Sequence, residues 1–169
     1  MSEFQAYEFT DIGSVLAWAA EPLLRRVRGH YGAAAYWRRV YGSSGLPARA
    51  ARAAEHQGPR VTDAVIARLR ESTFVDRHPV DGHERLHEVL RDIAELDRWR
   101  LVRDLDSPDV LWSVAADESL ARRRGCPFPT VLFRGPGGDR VVTGAQAFEA
   151  YVAAIEAVAP ALGRVAEAA

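Results

Sequence analysis

The sequence predicts a soluble α/β fold in which a strand–helix–strand unit and a strand–strand–helix unit flank a helical block. Three observations carry that reading. Apolar side chains near the start recur with the two-residue period of a strand; from about residue 44 to 117 the period is helical; past residue 130 strand signals return around a Gly/Pro turn.

Phe4-Gln5-Ala6-Tyr7-Glu8-Phe9-Thr10 roughly alternates apolar with polar residues, as a half-buried strand does. Asp11-Ile12-Gly13-Ser14 is a turn whose last residue is a favoured helix cap. From Val15 the period lengthens: Leu16, Ala19, Ala20, Leu23, Leu24 and Val27 fall at helical spacing, with Arg25, Arg26 and Arg28 opposite. Pro22 lies inside this helix and is expected to kink it. Gly32 ends it, and Ala33 to Tyr41 reads as a second strand, completing a parallel βαβ unit.

Gly42 to Pro47 is a break. Helices are expected over Arg49 to His56 and Thr62 to Glu71, divided by Gln57-Gly58-Pro59. A third covers Asp81 to Glu95, with Leu86, Val89, Leu90 and Ile93 as its stripe. Ser107 caps a fourth, with Pro108 in its first position. Thr130-Val131-Leu132-Phe133 and Arg140-Val141-Val142, joined by Gly135-Pro136-Gly137-Gly138, form a hairpin. A last helix runs from Gln146 to about Val158.

Composition narrows the function. The chain has 169 residues, with 22 basic and 23 acidic side chains and a net charge of −1. Such balance lacks the basic face that a sequence-independent nucleic-acid binder needs to displace counterions. All the basic residues are Arg, and Lys and Asn are absent, which reflects a GC-rich coding bias rather than Arg chemistry. The single cysteine, Cys126, can form no internal disulfide and no C-x-x-C pair. No apolar run reaches the length of a membrane span, and Met1-Ser2-Glu3-Phe4 has no secretory character, so a cytoplasmic protein is expected. The expected partner is a small molecule or an extended peptide, with no nucleic acid and no membrane, and the chain is a monomer or a homodimer.

Three stretches resemble the DsbA family. Thr10-Asp11-Ile12-Gly13-Ser14-Val15-Leu16-Ala17-Trp18-Ala19-Ala20-Glu21-Pro22 resembles its first motif, in which a turn leads into Cys-Pro-Trp-Cys or Cys-Pro-Trp-Ser, then Trp and Glu-Pro. Gln57-Gly58-Pro59, with Leu69 and Phe74-Val75, looks like part of the family's helical insert. Gly125-Cys126-Pro127-Phe128-Pro129-Thr130-Val131-Leu132-Phe133 resembles the loop that carries its cis-proline, which would be Pro129. The resemblance covers about residues 4 to 157. It implies a thioredoxin-like core (residues 1–43 and 118–160), an all-helical insertion (44–117) and a C-terminal tail (161–169).

The departure from the family is chemical. Ser14 stands where the family has its nucleophilic Cys, and Ala17 where it has a second Cys or a Ser. Disulfide exchange requires a thiolate attacking sulfur, which a serine hydroxyl cannot replace. Conventional disulfide oxidoreductase activity is therefore not expected. Ser14 caps the first helix, or it holds a bound thiolate at that helix's N-terminus. Kappa-class glutathione transferases and hydroxychromene-carboxylate isomerases use Ser in the second way. Asp11-x-x-Ser14 is similar to their motif, although their following Pro is Val15 here.

The resemblance thus implies a degenerate site in which Ser14 is the one catalytic candidate. Asp11, Trp18, Phe128 and Pro129 would bind the substrate, and a glutathione- or mycothiol-type thiol would be the cofactor. The chain is then either a redox-dead module binding a thiol compound, peptide or small metabolite, or a thiol-dependent transferase or isomerase. Pro127 and Pro129 also serve simply to shape the entry to a strand.

Other motifs fit bland roles as well. Cys126 reads as a small buried hydrophobe. His83-Glu84-Arg85-Leu86-His87 matches H-E-x-x-H, a zinc hydrolase pattern that lacks a third ligand and arises easily in charged helices, so no metal is expected. Trp18, Trp37, Trp99 and Trp112, with Phe74 and Phe148, are expected to pack in the core and the insert. Arg122-Arg123-Arg124 suits a solvated helix C-terminus.

Overall fold

The alternation at the N-terminus becomes strand β1, Phe4–Thr10, in a computed structural model that describes residues 3–162. Helix α1 follows over Val15–Tyr31, running through Pro22, and a short 3₁₀ turn leads into β2, Ala35–Tyr41. The remaining strands are β3, Thr130–Gly135, and β4, Gly138–Thr143; helix α7, Phe148–Val158, comes last. The four strands lie in the order β2-β1-β3-β4. Both β1 with β3 and β3 with β4 are antiparallel, with Ala6 opposite Phe133 and Leu132 opposite Val141. This is a mixed α/β architecture with a helical insertion, as the sequence predicts.

Contacts divide the chain into two units. One comprises residues 3–10, 16–40 and 125–162 of the described chain. Its core joins Phe4, Ala6, Leu24, Val27, Val131, Phe133, Tyr151, Ile155 and Val158. Phe133 meets Phe4, Trp37 and Tyr151 edge-on at 6.1, 6.0 and 6.4 Å, an arrangement favoured by the ring quadrupoles. Glu8 follows Phe4 and Ala6 along the strand's inward face and is fully buried. Its Oε2 accepts from Arg28 at 2.8 Å and from Trp37 Nε1 at 2.9 Å, and Arg28 also donates to the buried Glu21. A buried carboxylate survives only with such partners.

The other unit comprises residues 11–15 and 41–124. It holds α2, Leu46–Glu55; α3, Pro59–Phe74; α4, His83–Leu90; α5, Arg98–Leu105; and α6, Pro108–Arg124. Five alanines of α2 (48, 50, 51, 53 and 54) are essentially buried, and their small side chains let α3, α5 and α6 all pack on this helix. Leu86, Val89 and Leu90 of α4 point inward, as their spacing requires. The Ser107 hydroxyl accepts from Val110 N at 3.4 Å, so the sequence locates this helix start correctly.

Several expectations need correction. The helix expected over Asp81 to Glu95 is shorter: it ends at Leu90, the chain turns over the next residues, and α5, Arg98–Leu105, lies beyond the expected span. The Asp97 carboxylate accepts from Arg100 N at 2.9 Å and starts α5 as an N-cap. Trp99 and Trp112 are not packing residues: they are 87% and 77% exposed. In α5 the inward positions are Leu101, Asp104 and Leu105, and in α6 they are Val110, Val114, Asp117 and Ala121. Both indoles lie off those stripes. Helix α6 runs unbroken through residue 118 to Arg124, where Arg122, Arg123 and Arg124 are exposed. Among the described residues, no helix is long and apolar enough to cross a membrane.

Candidate functional site

The turn ahead of α1 is built from its own residues. Asp11 Oδ1 accepts the Gly13 N–H at 2.7 Å, and the Asp11 carbonyl accepts the Ser14 N–H at 3.2 Å. This Asx-type turn sets Ser14, half-buried, immediately before the first residue of α1. Ile12 is buried at 4% exposure and anchors the turn, so Asp11 is left to shape it. From α3, Arg70 donates to the Asp11 carbonyl at 3.4 Å.

Arg70 is itself 1% exposed and was missed by the sequence reading. A signal for it existed: it lies four residues after Ile66 and one after Leu69, on the apolar stripe of α3, where a charged residue needs a reason. Past Ser14, Val15 and Leu16 are 56% and 61% exposed, so the first turn of α1 presents apolar surface beside the hydroxyl. Trp18, on the next turn, is half-buried.

The second group of site residues sits in the other unit's chain segment. The Phe128–Pro129 peptide bond is cis, Phe128 is half-buried and Pro129 is buried. The Pro129 carbonyl accepts from Gly144 N at 2.8 Å, and Thr130 Oγ1 donates to the Pro127 carbonyl at 2.7 Å, which ties the loop to the start of β3. Cys126 is half-buried in this loop, one residue after Gly125, whose φ is +59°. Asp11 and Ser14 thus belong to one turn, and Phe128 and Pro129 to one loop. The only sulfhydryl of the chain is in that loop, not at the position of Ser14.

The two histidines of the H-E-x-x-H segment have different surroundings. His83 Nε2 lies 3.9 Å from Asp106 Oδ2, whereas His87 lines a pocket with Arg98, Trp99 and Val102. Among the described residues, no group of three or more His, Cys, Asp or Glu side chains could hold a metal.

The chain matches no protein-family model and no curated protein. Solved structures do match. Reduced DsbA1 from Neisseria meningitidis superimposes with a TM-score of 0.76 at 18% identity, over 99% of this chain and 88% of that one.

The fold is DsbA-like.

A candidate protein disulfide isomerase from Nitrosomonas europaea matches with a TM-score of 0.78 at 13% identity, over 92% of this chain and 97% of that one. DsbA from Xylella fastidiosa matches at 0.73 with 18% identity, covering 96% and 88%. The DsbA-like fold explains why strand–helix–strand and strand–strand–helix segments flank an insertion of helices. A single cysteine in such a fold fits a site that has lost its thiol pair.

One expectation falls with this comparison. A cytoplasmic location does not stand, because the DsbA homologues that share the fold are periplasmic oxidoreductases. That expectation rested on absences, and an absence does not fix a compartment. A protein without an internal disulfide is chemically compatible with either side of a membrane.

Proposed function

We propose that this DsbA-like chain binds a low-molecular-weight thiol of the glutathione or mycothiol type, or a thiol-bearing peptide, with Ser14 as the thiolate contact. The supporting observation is the turn itself: Asp11 delivers Ser14 to the start of α1, and Val15 and Leu16 leave exposed apolar surface next to it. A thiolate placed there is favoured by the positive end of the helix dipole. Its sulfur would accept a hydrogen bond from the Ser14 hydroxyl. A transferase or isomerase using the bound thiol is the enzymatic version of the same reading, and dependence of any activity on added thiol distinguishes it from a binding module.

Native mass spectrometry with glutathione and mycothiol tests the proposal. A one-to-one complex is expected, weakened about tenfold or more by Ser14→Ala, since a hydrogen bond to a charged group contributes about 1.5–3 kcal/mol. Unchanged binding in the variant, or no complex with either thiol, overturns it. In a separate assay, insulin reduction is expected to proceed no faster with the protein than with its Cys126→Ser variant. Catalysis above that control would mean that Cys126 performs exchange despite its position.

A further inference from the structure

His87, Arg98, Trp99 and Val102 line a pocket of about 310 Å³ on the helical unit. The volume sits at the lower end of the range for ligand pockets, roughly 300–1,000 Å³, and suits one ring with a short side chain. Its apolar part is Trp99 and Val102, which are 87% and 42% exposed. Trp99 lies off the buried stripe of α5, so core packing does not account for this indole, and unlike the exposed Trp112 it lines a pocket.

The polar part is cationic. The Arg98 guanidinium and the His87 ring have no side-chain partner among the described residues. By contrast, Arg49, Arg52, Arg85, Arg100 and Arg103 of the same unit are each paired with a carboxylate. Asp97, the acid next to Arg98, is occupied in capping α5. A guanidinium matches a carboxylate with two parallel hydrogen bonds, and neutral or charged imidazole offers at least one N–H.

We propose that this pocket binds a small aromatic carboxylate, with its ring against Trp99 and Val102 and its carboxylate on Arg98 and His87. Trp and Arg are the side chains most often found at energetic centres of recognition, and here they sit next to each other at the start of α5.

Titration of the ¹⁵N-labelled full chain with 3-phenylpropionate tests this, with 3-phenylpropan-1-ol and propionate as probes that lack the charge or the ring. Saturable amide shifts centred on residues of α4 and α5 are expected, with affinity at least about tenfold above either partial probe. Arg98→Gln and Trp99→Ala are each expected to weaken binding about tenfold. Both positions are exposed, and an unchanged far-ultraviolet circular dichroism spectrum will verify folding. Shifts centred elsewhere, no saturation in the millimolar range, or equal affinity for the charged and neutral ring probes overturns the proposal. A loss confined to one of the two variants overturns it too, because recognition would then rest on charge or on apolar contact alone.

Discussion

Replacing Asp117 by Ala is expected to destabilise the protein by about 3–5 kcal/mol, the usual cost of stranding one member of a buried ion pair. Asp117 is 1% exposed, and its Oδ2 accepts from both Arg52 Nη2 and the Tyr41 backbone N–H, the latter at 3.2 Å. Arg52 also donates to Glu55, which accepts a hydrogen bond from the Tyr41 hydroxyl at 2.8 Å. Its guanidinium lies 5.0 Å from the centre of the Tyr41 ring. Burial disfavours the Arg52 charge, yet the carboxylates of Glu55 and Asp117 outweigh it and hold the guanidinium above its ordinary pKa.

Removing Asp117 leaves that charge under-compensated and a buried N–H without its acceptor. In thermal unfolding this should lower Tm by about 10 °C for a domain of this size. Asp139→Ala provides the contrast, since its pair with Arg134 is about half exposed and worth under about 1 kcal/mol. Equal effects of the two substitutions would show that the Asp117 network adds nothing beyond a surface pair.

Gly137→Ala should have the next largest effect, about 1–3 kcal/mol of destabilisation through overpacking. Gly137 lies in the β3–β4 turn, and its N–H donates to the Val158 carbonyl at the end of α7 at 2.8 Å. An added Cβ would fall well inside contact distance of the Ala157 carbonyl oxygen and 3.2 Å from Val158 Cα. Those neighbours are backbone and cannot swing aside, so the turn and the helix end must separate. Gly29→Ala is the opposite case: it lies inside α1 with open space around its would-be Cβ. There Ala should stabilise by roughly 0.5–1 kcal/mol, because glycine loses more backbone freedom in a helix. Urea unfolding of the two variants should move the midpoint in opposite directions; a midpoint unchanged or raised in Gly137→Ala would remove the close-approach argument.

Much of the scaffold was legible because its signals are local. Alternation over Phe4–Thr10 and helical spacing from Val15 to Tyr31 act through neighbours a few residues apart, and both elements appear where those patterns place them. Boundaries set by local chemistry also came through, as at Ser107 and Pro108. The end of α4 at Leu90 did not, because the apolar spacing from Leu86 continues to Ile93 although the backbone turns after Leu90. Asp97 as a cap was readable in principle, but the stripe masked it.

For the site, the sequence by itself determined which chemistry the chain cannot perform within itself: with Cys126 as its one thiol, it can form no internal thiol pair. It also contained the Asp11–Ser14 turn, whose bonds close within four residues. Only the tertiary structure decided what depends on partners distant in the chain. Arg70 reaching Asp11 from 59 residues away is one such case, and Arg52 meeting Asp117 across 65 residues is another. Glu8 is buried on Arg28 and Trp37 rather than facing solvent, and Trp99 and Trp112 are exposed rather than packed. A charged or aromatic side chain has the same local preference in either environment. Which one it occupies is set by desolvation, and desolvation is a property of the assembled neighbours, not of the segment.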